Sequence, residues 1–231
     1  MDTTPYQDFA VAHLGGAFTN LELLITALTH RSYLNEHKKS ASEHNERLEF
    51  LGDAVLELVV TDYLYRNFSD PEGVLTNWRS SLVRTESISA AASRLGVEPL
   101  LRLSRGEKHG GDRARMQILA NAFEAIIGAI YMERGYDACS VFITDNILST
   151  FETILKNGSW MDPKSRLQEV VQADGGQTPQ YRVMTEEGPD HEKIFTVAVY
   201  SDEKKLGQGT GPSKQAAQVS AAEVALKKLE K

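Results

Sequence analysis

The sequence predicts an all-α domain followed by a small α+β domain of order α-β-β-β-α. Three observations carry this. From Leu21 to about Lys156 apolar residues recur near every 3.6 positions, with few β-branched clusters. The segment KNGSWMDP at 156–163 is polar, contains glycine and ends in proline, as a linker does. Beyond it the pattern changes to short alternating runs and a final Ala-rich helix. The expected boundaries are 1–156 for the first domain, 157–161 for the linker and 162–231 for the second domain.

The helical region is broken by SDPEG at 69–73 and RGEKHGGD at 105–112, both turn-like. In the second domain SRLQEVVQ reads as a short helix. PQYRVMTE and KIFTVAVYS alternate like strands across the turn EEGPDHE, and Lys204 to Gly207 reads as a short third strand. Ser213 is the expected N-cap of the last helix.

Composition narrows the class. With 41% hydrophobic and 25% charged residues in 231, the chain reads as an ordinary globular protein with room for a main core and a smaller one. No apolar run approaches the ~20 residues of a membrane-spanning helix. The N-terminus lacks the basic and apolar regions of a signal peptide. A lone cysteine, Cys139, allows no intrachain disulfide and is expected to be an inert packed side chain. A cytoplasmic location without membrane association is expected. The net charge of -7 argues at first against a nucleic-acid partner. Residues 161–231, however, carry 10 Lys and Arg against 11 Asp and Glu, so most of the acidity lies in the first domain.

That acidity concentrates in NERLEFLGDAVLEL, residues 45–58. On a helix, Glu46, Glu49, Asp53 and Glu57 fall within roughly 80° of one another. Leu48, Leu51, Val55 and Val59 lie opposite, and Phe50, Leu56 and Val60 flank the acids. A solvated face is the plain reading of such a stripe. Like charges at i,i+4 repel, however, and no lysine on the stripe relieves Asp53 and Glu57. A second segment, ILANAFEAIIGAIY at 118–131, is almost wholly apolar and reads as a buried helix. Before Tyr131 its polar side chains are Asn121 and Glu124, one turn apart on one face. A buried carboxylate needs a partner or stays protonated. A hard divalent cation shared between the two helices would satisfy both segments, and Gly128 would let the helices approach closely.

NERLEFLGD closely resembles the signature of ribonuclease III nucleases. ALTHRS at 27–32, GEKHGG at 106–111 and ILANAFEAIIGAIY agree with it, and the C-terminal unit resembles the double-stranded-RNA-binding domain of bacterial members. The resemblance implies a homodimer of helical nuclease domains cleaving double-stranded RNA, such as ribosomal and other structured precursors. The products would carry 5′-phosphate and 3′-hydroxyl ends. It implies Mg²⁺ as cofactor, with Mn²⁺ as a substitute. Glu49 and Glu124 match metal ligands, Asp53 the catalytic aspartate beside them, and Glu46 and Glu72 accessory acids. Phe50 matches a residue that inserts into the partner subunit. Glu57 matches no functional position and reads as a surface acid. His30 reads as a hydrogen-bonded structural histidine, and His109 as a loop residue.

The chain departs from the family at Asn121, where an aspartate is usual. An amide keeps one oxygen for a metal but loses a charge. The alternative reading is therefore a catalytically impaired duplex-RNA-binding dimer. In the second domain, Gln168 and Gln172 are expected to meet one minor groove of the RNA and His191 the next. Ser213 and Lys214 at the start of the last helix are expected to meet phosphate. Gln215 and Gln218 are expected to meet the RNA through hydrogen bonds, but they stand where family members commonly carry cations, so weak RNA affinity is expected from this domain alone.

Overall fold

The computed structural model of the chain describes residues 2–37, 43–158, 160–189 and 192–229. It divides into two compact units, Met1–Lys156 and Asn157–Lys231.

The first unit is helical: α1 Thr4–His13, α2 Leu21–Ala27, α3 Arg31–Glu36, α4 Glu46–Asn67, α5 Glu72–Val83, α6 Thr85–Arg94, α7 Asp112–Asn146 and α8 Phe151–Asn157. Helical structure thus begins earlier than the apolar spacing indicates. Pro5 opens α1, where a missing N–H costs nothing, and the helix buries Tyr6, Phe9 and Ala10. Two turn-like breaks are shorter than expected, because Glu72 and Gly73 already belong to α5 and Asp112 begins α7. α7 bends at Gly135, which takes φ 78°, a left-handed conformation suited to glycine.

α4 and α7 form the centre of this unit. α4 buries Leu48, Gly52, Val55, Leu56, Val59, Val60 and Leu64, and α7 buries the segment from Ile118 to Ile130 except Asn121 and Glu124. The helices meet backbone to backbone. A methyl group on Gly52 would lie 1.7 Å from the carbonyl oxygen of Glu124, and one on Gly128 would lie 2.2 Å from that of Leu48. Two glycines, one on each helix, therefore fix the crossing. Elsewhere Tyr63, Phe68, Trp78 and Phe151 pack edge to face at 5.2–6.5 Å. Arg134 donates to the carbonyls of Leu14, Gly16 and Ala17 and holds that loop onto α7.

The second unit runs α9 Pro163–Ala173, β1 Gln180–Glu187, β2 Ile194–Ser201, β3 Lys204–Gly211 and α10 Lys214–Leu229, with an antiparallel β1-β2-β3 sheet. The α-β-β-β-α order is as the sequence indicates, but β3 extends through GQGTG to Gly211. Val199 faces Gly207 and Val197 faces Gly209 in the ladder. Gly207, Gly209 and Gly211 alternate along the strand. A Cβ on them would come within 2.3–2.7 Å of backbone atoms of Ala217 or Ala221 in α10. The glycines are here not turn residues. They remove one row of side chains so that the Ala-rich helix rests on the sheet, closing a core of Leu167, Val171, Val199, Leu206, Ala221, Ala222, Ala225 and Leu226.

Gly52→Ala should therefore cost about 3 kcal/mol or more, since the clash is with backbone that cannot rotate away. Gly73→Ala, on an exposed helical turn with nothing within 4 Å of the added methyl, should be neutral or stabilising by up to ~1 kcal/mol. Urea denaturation of both variants measures the contrast.

Candidate metal centre and RNA-contact residues

The glycine crossing decides which side chains meet. Leu48 and Gly52 touch α7 directly, so their neighbours Glu49 and Asp53 lie along the seam. Across it, Asn121 and Glu124 stand one turn apart on α7. Desolvation raises the Glu49 carboxyl above the usual range, helped by the charges of Glu46 and Asp53, while a hydrogen bond from Asn121 opposes the shift. Glu124 is pushed up to about 8, first by burial and then by Asp53 and Glu49. Burial is the larger cause of both shifts, and the neighbouring carboxylates add to it by repulsion.

Asn121 is held from two sides. Its Oδ1 accepts a hydrogen bond from Gln117 Nε2 at 2.7 Å, and its amide donates to Glu49. In this arrangement the Asn121 oxygen faces Gln117 and its nitrogen faces Glu49. Among the described residues no three His, Cys, Asp or Glu side chains are arranged as a finished cation site. The donor set nevertheless suits a hard cation: two coupled glutamates at a helix seam, Asp53 beside them, and an amide one turn from Glu124.

The remaining acids are placed differently. Glu46, exposed at the start of α4, pairs with Arg31 at 3.3 Å and lies 3.9 Å from His44. Its charge still reaches Glu49. Glu72 is exposed at the start of α5 and accepts from Thr76 Oγ1 at 3.1 Å. After burial, the rise at Glu49 traces to Glu46 and Asp53, and that at Glu124 to Asp53 and Glu49. Glu57 is not left unrelieved: Arg79 of α5 pairs with it at 3.1 Å. His30 caps α3 by accepting from Ser32 N, and burial lowers its pKa, which fits the structural role. His109 ends an exposed single turn of 3₁₀ helix. Cys139 is fully buried, and burial pushes its thiol up to about 12.

Phe50 is 81% exposed, so it is not a core residue of this chain. Leu58 at 56% and Tyr65 at 78% continue the same face of α4, a stripe of about 22 Å.

In the second unit Gln168 and Gln172 are exposed on α9, and Gln172 donates to Thr178 Oγ1. His191 lies outside the described residues. Ser213 caps α10, accepting from Ala216 N at 3.1 Å. Lys214 is exposed but pairs with Glu186 of β1 at 2.9 Å, a partner the sequence reading did not include. Gln215 is exposed, whereas Gln218 accepts from Lys164 Nζ at 2.7 Å.

Comparison with known proteins agrees with both units. The family described as Ribonuclease-III-like matches residues 20–151, and the double-stranded RNA binding motif matches residues 163–229. Ribonuclease 3 of Oceanobacillus iheyensis is 44% identical over 227 residues, covering 98% of this chain and 97% of the relative. Ribonuclease 3 of Carboxydothermus hydrogenoformans is 44% identical over 217 residues, covering 94% and 92%. The nuclease domain of ribonuclease III from Campylobacter jejuni, whose structure is described as having a flexible region involved in dimer formation, superposes with a TM-score of 0.56. It is 39% identical and covers 63% of this chain and 98% of that one.

The raised carboxyl of Glu124 has a measurable consequence. The folded chain holds this proton more tightly than the unfolded one. The stabilisation is therefore full below the ordinary carboxylate range and is lost as pH rises toward about 8. In chelator, Glu124→Gln should remove much of that pH dependence and be the more stable protein at pH 8 by about 2 kcal/mol. Urea denaturation at several pH values checks this. Parallel pH profiles for the two proteins would place the destabilising charge elsewhere.

Proposed function

The chain belongs to the ribonuclease III family and is a double-stranded-RNA endoribonuclease, and on that premise we propose that the α4–α7 seam is its catalytic centre. The observation that carries the assignment is the backbone contact of α4 and α7 at Gly52 and Gly128, which sets Glu49 and Asp53 along the seam from the half-buried Glu124. Glu49 and Glu124 would hold a divalent cation, Mg²⁺ or Mn²⁺, with Asn121 turning its oxygen inward. When bound, the ion supplies charge stabilisation at the scissile phosphate and acidifies a water. Asp53, exposed on α4, would orient the attacking water and take up its proton. Glu46 keeps the neighbouring surface acidic and holds Arg31. Hydrolysis would leave 5′-phosphate and 3′-hydroxyl ends. Ribosomal and other structured precursor RNAs are the proposed substrates, met in the cytoplasm. Gln168, Gln172, His191, Ser213, Lys214 and Gln215 are the proposed contacts to the duplex.

We further infer a homodimer. Phe50, Leu58 and Tyr65 line one exposed face of α4, and an apolar stripe of that length on a folded domain marks an interaction surface. A second copy is the favoured occupant.

A second reading, an impaired nuclease that mainly binds duplex RNA, is favoured by the inward-facing nitrogen of Asn121. The two readings separate on one experiment. Magnesium prefers charged oxygen ligands, so Asn121→Asp should lower the Mg²⁺ concentration for half-maximal cleavage of an RNA duplex. The native chain should work better in Mn²⁺ than in Mg²⁺. Glu124→Gln should abolish cleavage in either ion while duplex binding persists. Cleavage by Glu124→Gln at the native rate would remove the seam from the mechanism. Native protein inactive in both ions, with activity gained in Asn121→Asp, would establish the binding reading.

Phe50→Ala should weaken the dimer by about 2 kcal/mol or more, as an aromatic anchor does. Sedimentation at micromolar concentration should then show monomer. An unshifted dimer would place the interface elsewhere.

A further inference from the structure

α9 and α10 meet at a polar contact that the expected RNA-binding residues only half include. Gln218 lies one turn beyond Lys214 on α10, where a cation would add a phosphate contact. Its Oε1 accepts a hydrogen bond from Lys164 Nζ at 2.7 Å. Lys164 is the second residue of α9, and its ammonium also lies 5.0 Å from the centroid of the Tyr181 ring. Neither partner carries a charge. Asp162, the acid nearest in sequence, is engaged as the N-cap of α9, accepting from Lys164 N and Ser165 N. Lys214, by contrast, is paired with the carboxylate of Glu186 at 2.9 Å.

We propose that Lys164 is a phosphate-binding residue of the duplex-RNA surface, its ammonium carried from α9 to Gln218 to supply the cation that α10 lacks there. The physical reasoning is one of charge and preorganisation. An ammonium held by an amide oxygen and a ring face keeps its full charge for a phosphate and releases a counterion when it binds. The two contacts also restrict a flexible side chain before RNA arrives, which lowers the entropy lost on binding. Gln218 thus acts as a bracket, so the glutamine on α10 and the lysine on α9 form one binding element. The inference rests on the reading that the N-terminal face of α10 meets RNA.

The test uses the full chain and a long RNA duplex in chelator, so that binding is measured without cleavage. Affinity is followed against salt for the native protein, Lys214→Ala, Lys164→Met, Lys164→Arg and the double variant Lys164→Met with Gln218→Lys. Lys164→Met should bind roughly three- to tenfold more weakly, with the slope of log affinity against log salt reduced by about 0.9, one phosphate contact. Lys164→Arg should keep the native slope. The double variant returns an ammonium to the same place from the other helix and should restore it. A purely structural tie between α9 and α10 would change melting temperature and leave the slope alone. If Lys214→Ala lowers the slope while Lys164→Met does not, this inference fails and the α10 reading stands. If neither variant changes the slope, the α10 reading fails and takes the inference with it. Should Lys164→Met unfold the domain, Lys164→Gln, which keeps a polar group for Gln218 without the charge, decides: a lowered slope supports the proposal, and a native slope overturns it.

Discussion

The architecture of the first unit depends on one contact, the crossing of α4 and α7 at Gly52 and Gly128. No side chain separates the helices there, so the backbone of Leu48 and Gly52 rests against that of Glu124 and Gly128. A contact made by backbone leaves little freedom of register, because sliding by one residue would drive a Cβ into a carbonyl. The acids inherit that precision. Glu49 and Asp53 follow Leu48 and Gly52 in the chain, and Glu124 is itself a member of the contact. Their proximity needs no attraction between them. It is imposed on groups that repel one another.

This explains why the acids are costly as well as placed. Burial and the neighbouring carboxylates push Glu124 to about 8, so near neutral pH a proton stands where a cation would remove the repulsion more completely. Asn121 already does a small part of that work by donating to Glu49, with Gln117 fixing its other end. An aspartate at this position would add a fourth carboxylate to the seam. The amide makes the cation-free chain easier to fold, and the same hydrogen bond must break before its oxygen can serve a metal. Stability without the ion and affinity for it are opposed at one side chain.

How much of this could be read from the sequence follows from the range of each interaction. Two polar residues in a helix otherwise made of Ala, Ile, Leu and Phe identify a site, because burial makes their presence expensive. Gly128 was legible as a close-approach residue for the same reason. Its counterpart Gly52 was not, since the surrounding acids drew the reading toward charge. The salt bridge from Arg79 to Glu57 links different helices, and spacing within one helix cannot reveal it. In β3, the sequence indicates a strand only as far as Gly207, because glycines beyond it weaken the alternating pattern. The alternation of Gly207, Gly209 and Gly211 against Ala217 and Ala221 is a pattern of two elements, visible only when both are compared. The exposure of Phe50 was legible only through the family resemblance, since by its own chemistry an aromatic side chain among leucines reads as core.

The two units share a device and use it for opposite ends. In each, glycine removes side chains from a packed face and lets backbone meet backbone, on α7 against α4 and on β3 against α10. In the first unit the close approach concentrates negative charge, which can serve RNA only through a cation. In the second, where the cationic and acidic residues nearly balance, affinity must come from the position of each ammonium rather than from their number. The sheet edge holds Lys214 through Glu186, and α9 carries Lys164 across to Gln218. A surface with so little net charge cannot rely on long-range attraction, which salt screens over about 10 Å. Short, preorganised contacts are what remain, and a glutamine flanked by a neighbouring helix's lysine is one way to build them without adding a charge to α10.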